Sequence, residues 1–171
     1  MKKSPIVKYL VCALLMFSLN LKAQGDRNEV QFRLQVKKLQ TLLKVRNFKE
    51  IALMMHFPFY TAKAEGDDGN EYPTDPISAK EYPAYRLGVF HTDVIRLLPK
   101  ISEAQLSEIE GTTDPYFAEL RKLTDRGSKM YELYIQYPES GTREESYFSF
   151  TFGKIKGSYK LIAYYGKWPV R

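Results

Sequence analysis

The fold is predicted most clearly by three segments, namely residues 130–137 (MYELYIQY), 146–153 (SYFSFTFG) and 158–165 (SYKLIAYY). In each segment the side chains alternate between two faces, which is the period-two pattern of a strand. The segments are separated by residues 138–144 (PESGTRE) and by Lys156-Gly157, and both connections are rich in turn-forming residues. Three strands joined by short turns predict an antiparallel meander.

The alternation places one set of side chains on the same face of each predicted strand. That face is the set Tyr131, Leu133, Ile135, Tyr137, Phe148, Phe150, Phe152, Tyr159, Leu161, Ala163 and Tyr165. We expect the three phenylalanines to be core residues. Each tyrosine placed inside would need a hydrogen-bond partner for its hydroxyl.

Upstream of the meander the chain predicts helices. Residues 27–45 contain no Gly or Pro, and their apolar positions recur at helical spacing. These positions are Phe32, Val36, Leu39 and Leu43. Asn47 can cap a second helix that ends at Pro58, with His56 in its last turn. Helices before strands indicate an α+β domain, with the N-terminal helices packed on a curved antiparallel sheet.

The middle of the chain predicts a series of short elements. Residues 57–65 read as a strand, and residues 66–76 (GDDGNEYPTDP) as a turn region. Ser78 and Glu81 have the spacing of a capping box, which predicts a helix that begins there and runs to Phe90. Three further short helices are expected, one capped by Thr92 and the others over residues 102–110 and 114–123.

The N-terminus has the order of residues that is typical of a signal peptide. Two lysines are followed by an eleven-residue apolar run, residues 9–19, and by Ala23 before the expected cleavage site. We expect residues 1–23 to direct export to the periplasm or outside the cell, and residues 24–171 to form one domain. The apolar run is too short to span a bilayer, so no stable membrane insertion is expected after cleavage. An uncleaved anchor is the alternative.

Charge and cysteine content exclude several classes of function. The first 23 residues carry four lysines and no acid, which leaves 22 basic and 20 acidic side chains in the remainder. A net charge of +2 gives no concentrated basic face, and nucleic acid is not an expected partner. Cys12, the only cysteine, would leave with the signal peptide. Neither a disulfide nor a thiolate metal site is therefore expected.

Three short motifs, in this order of elements, resemble the nuclear transport factor 2-like superfamily, which has a cystatin-like fold. They are Phe57-Pro58 after a helix, Ile77-Ser78 with Glu81 at the next helix start, and residues 157–161 (GSYKL) in the closing hairpin. The resemblance covers most of residues 30–165. It implies a cone, in which helices wrap against a strongly bent sheet around an interior pocket. That superfamily includes isomerases, dehydratases, hydrolases and non-catalytic domains, so the fold does not decide the function.

His91 and Asp93 are the candidates for acid–base catalysis, because histidine titrates near neutral pH and a carboxylate can orient it. The alternative is that both serve the junction between two helices. His56 is expected to complement the negative end of its helix. Two histidines offer no metal-ligand spacing, and the string 67–71 is more typical of a turn than of a calcium loop. We expect no metal and no cofactor.

The aromatic residues of the sheet region are the candidates for ligand binding. They are Tyr131, Tyr134, Tyr147, Tyr164 and Trp168. Tyrosine has an apolar body and a polar tip, which suits a pocket or an interface, although aromatic residues also fill strand cores. We expect an exported non-enzymatic domain that binds a small apolar or amphipathic ligand in the cone, or pairs through its sheet face as a homodimer. A small acid–base enzyme and an envelope or extracellular interaction module are the alternatives.

Overall fold

The computed structural model describes residues 27–111, 113–139 and 141–171 of the chain. The expected signal peptide, residues 1–23, lies outside the described residues. Within those three ranges, no helix is both long enough and apolar enough to cross a membrane.

The described chain has the expected α+β composition. Its α-helices are α1 (27–44), α2 (Phe48–Met54), α3 (Tyr82–Val89), α4 (Thr92–Leu97) and α5 (Pro115–Arg121). Short 3₁₀ helices cover Leu98–Lys100 and Glu103–Gln105. The strands are β1 (Met55–Glu65), β2 (Glu71–Ile77), β3 (Leu106–Glu108), β4 (Tyr131–Pro138), β5 (Glu145–Ile155) and β6 (Ser158–Gly166).

These strands form one curved sheet in the order β2-β1-β6-β5-β4-β3. β4, β5 and β6 are consecutive and antiparallel, which confirms the meander. β1 runs parallel to β6, so the sheet contains one parallel pair. Helices α1 to α4 pack on one face of the sheet, here called the inner face. α5 packs on the opposite face, here called the outer face.

α1 packs its apolar stripe against the inner face. All four predicted positions of that stripe are buried, which confirms the helical spacing. Phe32 stacks on Tyr131 of β4, with the two ring centroids 4.3 Å apart. Burying a side chain of this size stabilises the fold by about 1.5–3 kcal/mol. This contact packs α1 against β4, which lies near the sheet edge that is remote from β2.

The junction between α2 and β1 differs from the sequence prediction. Asn47 caps α2 as predicted, because its Oδ1 accepts a hydrogen bond of 3.2 Å from the Glu50 N–H. The helix ends at Met54, so His56 and Pro58 belong to β1, and the prediction that Pro58 ends the helix is wrong. Pairing of β1 with β2 and β6 holds this segment as a strand and overrides the local helix pattern.

β2 lies in the region that was expected to be a turn. Only residues 66–70 form the turn, and residues 71–77 pair antiparallel with β1. The prediction of a turn over the second half of this region is therefore wrong. β2 contains Pro73 and Pro76, which an edge strand tolerates because one of its sides needs no ladder hydrogen bonds.

The capping signals of α3 and α4 are correct to within a few residues. Ser78 and Glu81 form the two reciprocal bonds of a capping box, at 2.8 and 3.3 Å, and α3 begins directly after them. α4 begins at Thr92 itself, and His91 occupies the N-cap position. The prediction of Thr92 as the cap is wrong by one residue, because the extended backbone already ends at His91.

The segment between α4 and β4 contains one wrong prediction and one confirmed prediction. Residues 102–110 form a 3₁₀ turn and β3 instead of a helix, because β3 pairs with the first three residues of β4. α5 lies within the predicted range 114–123. Its cap is Asp114, whose Oδ1 accepts a hydrogen bond of 2.9 Å from the Tyr116 N–H.

A bulge in β6 changes which side chains reach the core. At the register shift β6 carries one residue more than β5, at Ile162, so the alternation beyond it moves by one position. Tyr164 therefore lies in the inner core, whereas Ala163 and Tyr165 lie on the outer face. The prediction that Tyr159, Leu161, Ala163 and Tyr165 share one face is therefore wrong from Ala163 onward.

α5 covers part of the outer face with a second, smaller core. Its Tyr116 and Leu120 are buried against Ile162 of β6 and neighbouring side chains. The helix has only seven residues. It leaves part of β4 and β5 uncovered, where Tyr134 and Tyr147 are exposed.

Candidate functional site

Aromatic side chains fill the inner face, where the family resemblance implies a pocket. The buried rings there include Phe32, Phe90, Tyr131, Phe148, Phe150, Phe152, Tyr159 and Tyr164. Tyr131 and Tyr164, two of the five binding candidates, belong to this packed set. Burial raises the pKa of both hydroxyls, to about 12 for Tyr131. Both side chains are therefore neutral core residues at physiological pH.

The other three binding candidates lie together on the outer side of the sheet. Tyr134, Tyr147 and Trp168 are 38%, 37% and 57% exposed. With charged side chains from β1, β2 and the C-terminal segment, they line one open groove of about 440 Å³. This outer groove is defined by Lys63, Glu71, Tyr134, Tyr147, Lys167 and Trp168.

A row of tyrosine rings crosses the sheet at the outer groove. Tyr134 and Tyr147 stack with ring centroids 6.0 Å apart and an angle of 22° between their planes. Tyr147 meets Tyr165 at 6.3 Å, and Tyr165 meets Tyr116 of α5 edge-on at 5.5 Å. The row follows from strand register, because Tyr134 and Tyr147 are diagonal neighbours on one face of the β4–β5 pair.

Hydrogen bonds hold Tyr165 in this row. Glu132 Oε1 accepts a bond of 2.7 Å from the Tyr165 hydroxyl and one of 2.6 Å from Ser149 Oγ. Burial and the nearby Glu132 carboxylate both raise the pKa of Tyr165, so its hydroxyl remains a donor at neutral pH. The ring is thus fixed before any ligand arrives, which lowers the cost of binding.

Lys63 connects the outer groove to α5. Its Nζ lies 2.6 Å from Glu71 Oε2 and 3.7 Å from Asp114 Oδ2. The same ammonium lies 5.2 Å from the ring centroid of Tyr116 and 5.5 Å from that of Tyr165. Carboxylates and the negative faces of aromatic rings therefore balance the charge of Lys63.

Lys167 is balanced in a similar way at the other side of the groove. Its Nζ lies 2.6 Å from Glu144 Oε2 and 2.9 Å from Glu139 Oε2. These two bonds raise the pKa of Lys167, with Glu144 the larger cause. The ammonium also lies 5.3 Å from the ring centroid of Trp168. Both lysines of the outer groove are thus paired with acids.

The two catalytic candidates lie at a different place in the fold. His91 lines a separate cavity of about 400 Å³ together with Arg46 and Arg96. Burial lowers the pKa of His91, and the charge of Asp93 partly opposes that effect. The Asp93 carboxylate accepts a bond of 2.6 Å from Arg96 Nη2, whereas the imidazole packs edge-on against Phe148 at 5.8 Å. Each candidate is therefore engaged with a different neighbour.

His56 is not at the end of a helix, so the predicted interaction with a helix dipole is wrong. It lies in β1, one residue after the strand begins. Burial is the largest cause of its lowered pKa, and the charges of Lys156 and Lys160 add to it.

The acidic string 67–71 lies in the turn between β1 and β2, and its last residue, Glu71, begins β2. Asp68 accepts hydrogen bonds from the Asn70 N–H at 3.0 Å and from the Tyr72 hydroxyl at 2.7 Å. Bonds from these two residues lower the pKa of Asp68 to about 2. In the part of the chain that the structure describes, no three histidine, cysteine or acidic side chains are grouped as a metal site would require.

Sequence reasoning missed the charged residues of the outer groove. Lys63 and Glu71 meet because β1 and β2 form a hairpin, and β2 was not predicted. Lys167 stands next to Trp168 in the sequence, and that adjacency was an available signal. The acids that pair with Lys167 lie in the turn between β4 and β5, so only the folded sheet brings them together.

Comparison with known proteins adds little to this geometry. No family model matches the chain, and no curated protein matches it. Among solved structures, the chain is similar to a protein named Rd1NTF2_05 that carries five substitutions, with a TM-score of 0.37 and 11% identity. The alignment covers 78% of this chain and 94% of that chain. A likeness this distant carries no argument about family, ligand or activity, so the site is argued from its own contacts.

Proposed function

We propose that the protein is a non-enzymatic binding domain that holds a small ligand in the outer groove. The observation that carries this proposal is the gathering of three exposed aromatic side chains, Tyr134, Tyr147 and Trp168, around one groove. The groove volume of about 440 Å³ lies in the range of about 300–1,000 Å³ that is usual for small-ligand sites. Fixed rings with nearby polar groups are the usual composition of such a site.

The inner face supports a ligand site less well than the outer groove. Its rings pack against one another, as Phe90 and Phe150 do with centroids 5.5 Å apart. A ligand there would have to displace core side chains, each of which contributes about 1.5–3 kcal/mol to stability. The sheet therefore offers its ligand site on the face that α5 covers only in part.

Acid–base catalysis is less well supported than binding. A general base needs a proton to abstract within hydrogen-bond reach, and a neighbouring group usually orients it. The carboxylate nearest in sequence to His91 is Asp93, which pairs with Arg96. The imidazole of His91 instead packs edge-on against Phe148 and Tyr164. This arrangement is typical of a packed junction between helices.

The proposal includes export, which the N-terminal charge and apolar run support. Expressing the full chain with its own N-terminus, followed by cell fractionation and mass spectrometry, tests this part. We expect an exported protein that begins at Gln24. A chain that keeps residues 1–23 in the membrane fraction would indicate an anchor, and a full-length cytoplasmic chain would contradict export.

Binding in the outer groove can be followed by the intrinsic fluorescence of the protein. Trp168 is the only tryptophan of the chain, so its fluorescence reports directly on the outer groove. We would screen a panel of apolar, charged and polyhydroxylated small molecules against the purified protein. At least one compound should change the Trp168 emission saturably, and the double variant Tyr134→Ala/Tyr147→Ala should weaken that binding about tenfold or more.

The matched control is Leu34→Ala, because Leu34 is 60% exposed on α1, which packs on the inner face. This variant should bind as the unchanged protein does. Binding that survives in the double tyrosine variant would contradict the proposal. So would a stable dimer in sedimentation that shields Trp168 from a soluble quencher, because the outer face would then be a homodimer interface.

A further inference from the structure

We propose that the ligand of the outer groove is a neutral saccharide, with a sugar ring seated on the Tyr134–Tyr147 pair. This inference rests on the proposed function and names the ligand class of the same site. Three features of the groove carry it, namely the flat tyrosine pair, the balanced charges and the mixture of hydrogen-bond donors and acceptors.

The tyrosine pair is a preformed platform. Tyr134 and Tyr147 stack on each other with an angle of 22° between their ring planes, and both residues are more than one-third exposed. The face of an aromatic ring is electron-rich, and it attracts the weakly positive C–H groups on the apolar face of a pyranose. Tyrosine also loses little conformational entropy on binding, because only two torsions are fixed. The platform therefore suits a flat, weakly polar ring.

The charges of the groove favour a neutral ligand over an ion. Lys63 is bonded to Glu71 at 2.6 Å, and Lys167 is bonded to Glu144 at the same distance and to Glu139 at 2.9 Å. An anionic ligand would have to break these pairs to reach a lysine. A cationic ligand would have to compete with the lysines for the same carboxylates. An anionic or a cationic ligand would therefore form a new ion pair only by breaking one that the groove already has.

The polar groups of the groove favour a ligand that both donates and accepts hydrogen bonds. The Glu71 side chain is 54% exposed, and one of its oxygens lies on Lys63 while a carboxylate has further lone pairs to offer. Sugar hydroxyls can donate to Glu71 and accept from an ammonium group. Proline-rich segments also dock on aromatic grooves, but proline has no N–H to donate. The saccharide therefore fits this lining better than a polyproline segment.

The test is a Trp168 fluorescence titration of the purified protein, repeated by calorimetry. The probes are maltotriose, cellotriose, the trimer of N-acetylglucosamine, a uronic-acid trimer and decaproline. We expect at least one of the three neutral trisaccharides to bind saturably, and more tightly than the uronic-acid trimer and decaproline.

Variants of the platform sharpen the test. Tyr147→Ala should weaken binding of the neutral trisaccharide about tenfold, whereas Tyr147→Phe keeps the ring and should stay within about twofold. Glu71→Gln should weaken it about fivefold, because an amide accepts fewer hydrogen bonds than a carboxylate. Leu34→Ala should change nothing. Circular dichroism checks that every variant is folded.

The inference would be overturned if the uronic-acid trimer or decaproline bound more tightly than every neutral trisaccharide, or if no probe bound. Equal loss of affinity in Tyr147→Phe and Tyr147→Ala would also overturn it, because ring stacking would then not be the interaction. The small-molecule panel separates this failure from that of the proposed function. A groove that binds another compound, with loss in the double tyrosine variant, keeps the proposed function and discards the saccharide.

Discussion

The two faces of the sheet use the same kind of residue for different purposes. On β5, Phe148, Phe150 and Phe152 point inward and are fully buried, whereas Tyr147 points outward and is 37% exposed. The inner rings meet Phe32 of α1 and Phe90, the residue that follows α3, whereas the outer ring meets Tyr134 and Tyr165 at the groove. The difference shows that aromatic content alone does not identify a site. The covering helices decide which rings are core and which are available.

The two covering layers differ in size. The inner face carries four helices, of which α1 alone extends over residues 27–44. The outer face carries α5, which has seven residues and buries Tyr116 and Leu120. The outer groove lies beside this short helix, and Lys63 contacts both. This arrangement implies that the two faces contribute differently to stability.

The largest expected effect is from truncating an inner ring. Phe150→Ala should destabilise the protein by about 3–5 kcal/mol, because it leaves a cavity between β5 and Phe90. Tyr147→Ala on the same strand should cost less than about 1 kcal/mol, because its ring is partly in solvent. Urea denaturation of both variants measures the difference. Equal losses would contradict the distinction between a packed face and an open face.

The second effect tests how closely the outer layer approaches the sheet. A Cβ at Gly153 would lie 2.5 Å from Thr124 Cγ2 and 3.0 Å from Ile162 Cδ1. Gly153→Ala should therefore destabilise by about 1–3 kcal/mol through overpacking. Thr124→Ser removes the clashing methyl group and should restore part of the loss in the double variant. If Gly153→Ala is neutral by thermal unfolding, the loop after α5 does not pack as described.

The third effect tests the cap of α5. Asp114→Ala should cost about 1 kcal/mol, because the Tyr116 N–H loses its acceptor. Asp114→Asn keeps an acceptor at that position and should retain most of the stability. Thermal unfolding followed by circular dichroism measures both. A loss as large in Asp114→Asn as in Asp114→Ala would show that the contact between Asp114 and Lys63, at 3.7 Å, matters more than the cap.

The sequence predicts the inner layer better than the outer layer, for a physical reason. α1 and the meander have long, regular hydrophobic periods, and burial of one face imposes such a period. The outer layer depends on features that leave no repeating hydrophobic pattern in the sequence. The bulge at Ile162 moves Tyr165 outward, and the prolines of β2 hide an edge strand in a segment with the composition of a turn.

The candidate site was predictable in part from residue type. The amphipathic side chains of Tyr134, Tyr147 and Trp168 make them binding candidates, and the structure brings these three to one groove. Tyr131 and Tyr164 have the same chemistry but lie in the inner core. Strand alternation alone separates Tyr131 from Tyr134, because the two side chains lie on opposite faces of β4. The position of Tyr164 could not be read in this way, because a bulge is set by pairing with a distant strand.

The smallest effect concerns pH. Burial lowers the pKa of His91 in the folded state, so the unfolded state, with a histidine pKa near 6.5, binds a proton first as pH falls. Stability should therefore decline as pH falls from about 7 through the lower pKa of the folded state. His56 acts in the same direction.

Urea denaturation between pH 7.5 and 5.5 measures this decline, and His91→Gln should flatten it. Carboxylates with a lowered pKa, such as Asp68, lose their contribution to stability only at lower pH, so they do not complicate the measurement in this range. A stability that rises as pH falls would mean that His91 has an acidic partner in the folded protein that the structure does not contain.

The most direct test of the difference between the two faces is a map of where a ligand binds. Amide chemical shifts would be recorded with and without the compound that changes Trp168 emission most strongly. We expect shifts grouped at Tyr134, Tyr147, Gly166 and Trp168, with the inner residues Phe32 and Phe90 unchanged. Shifts grouped at the inner residues, with the outer groove unchanged, would place the ligand on the inner face and contradict a site in the outer groove.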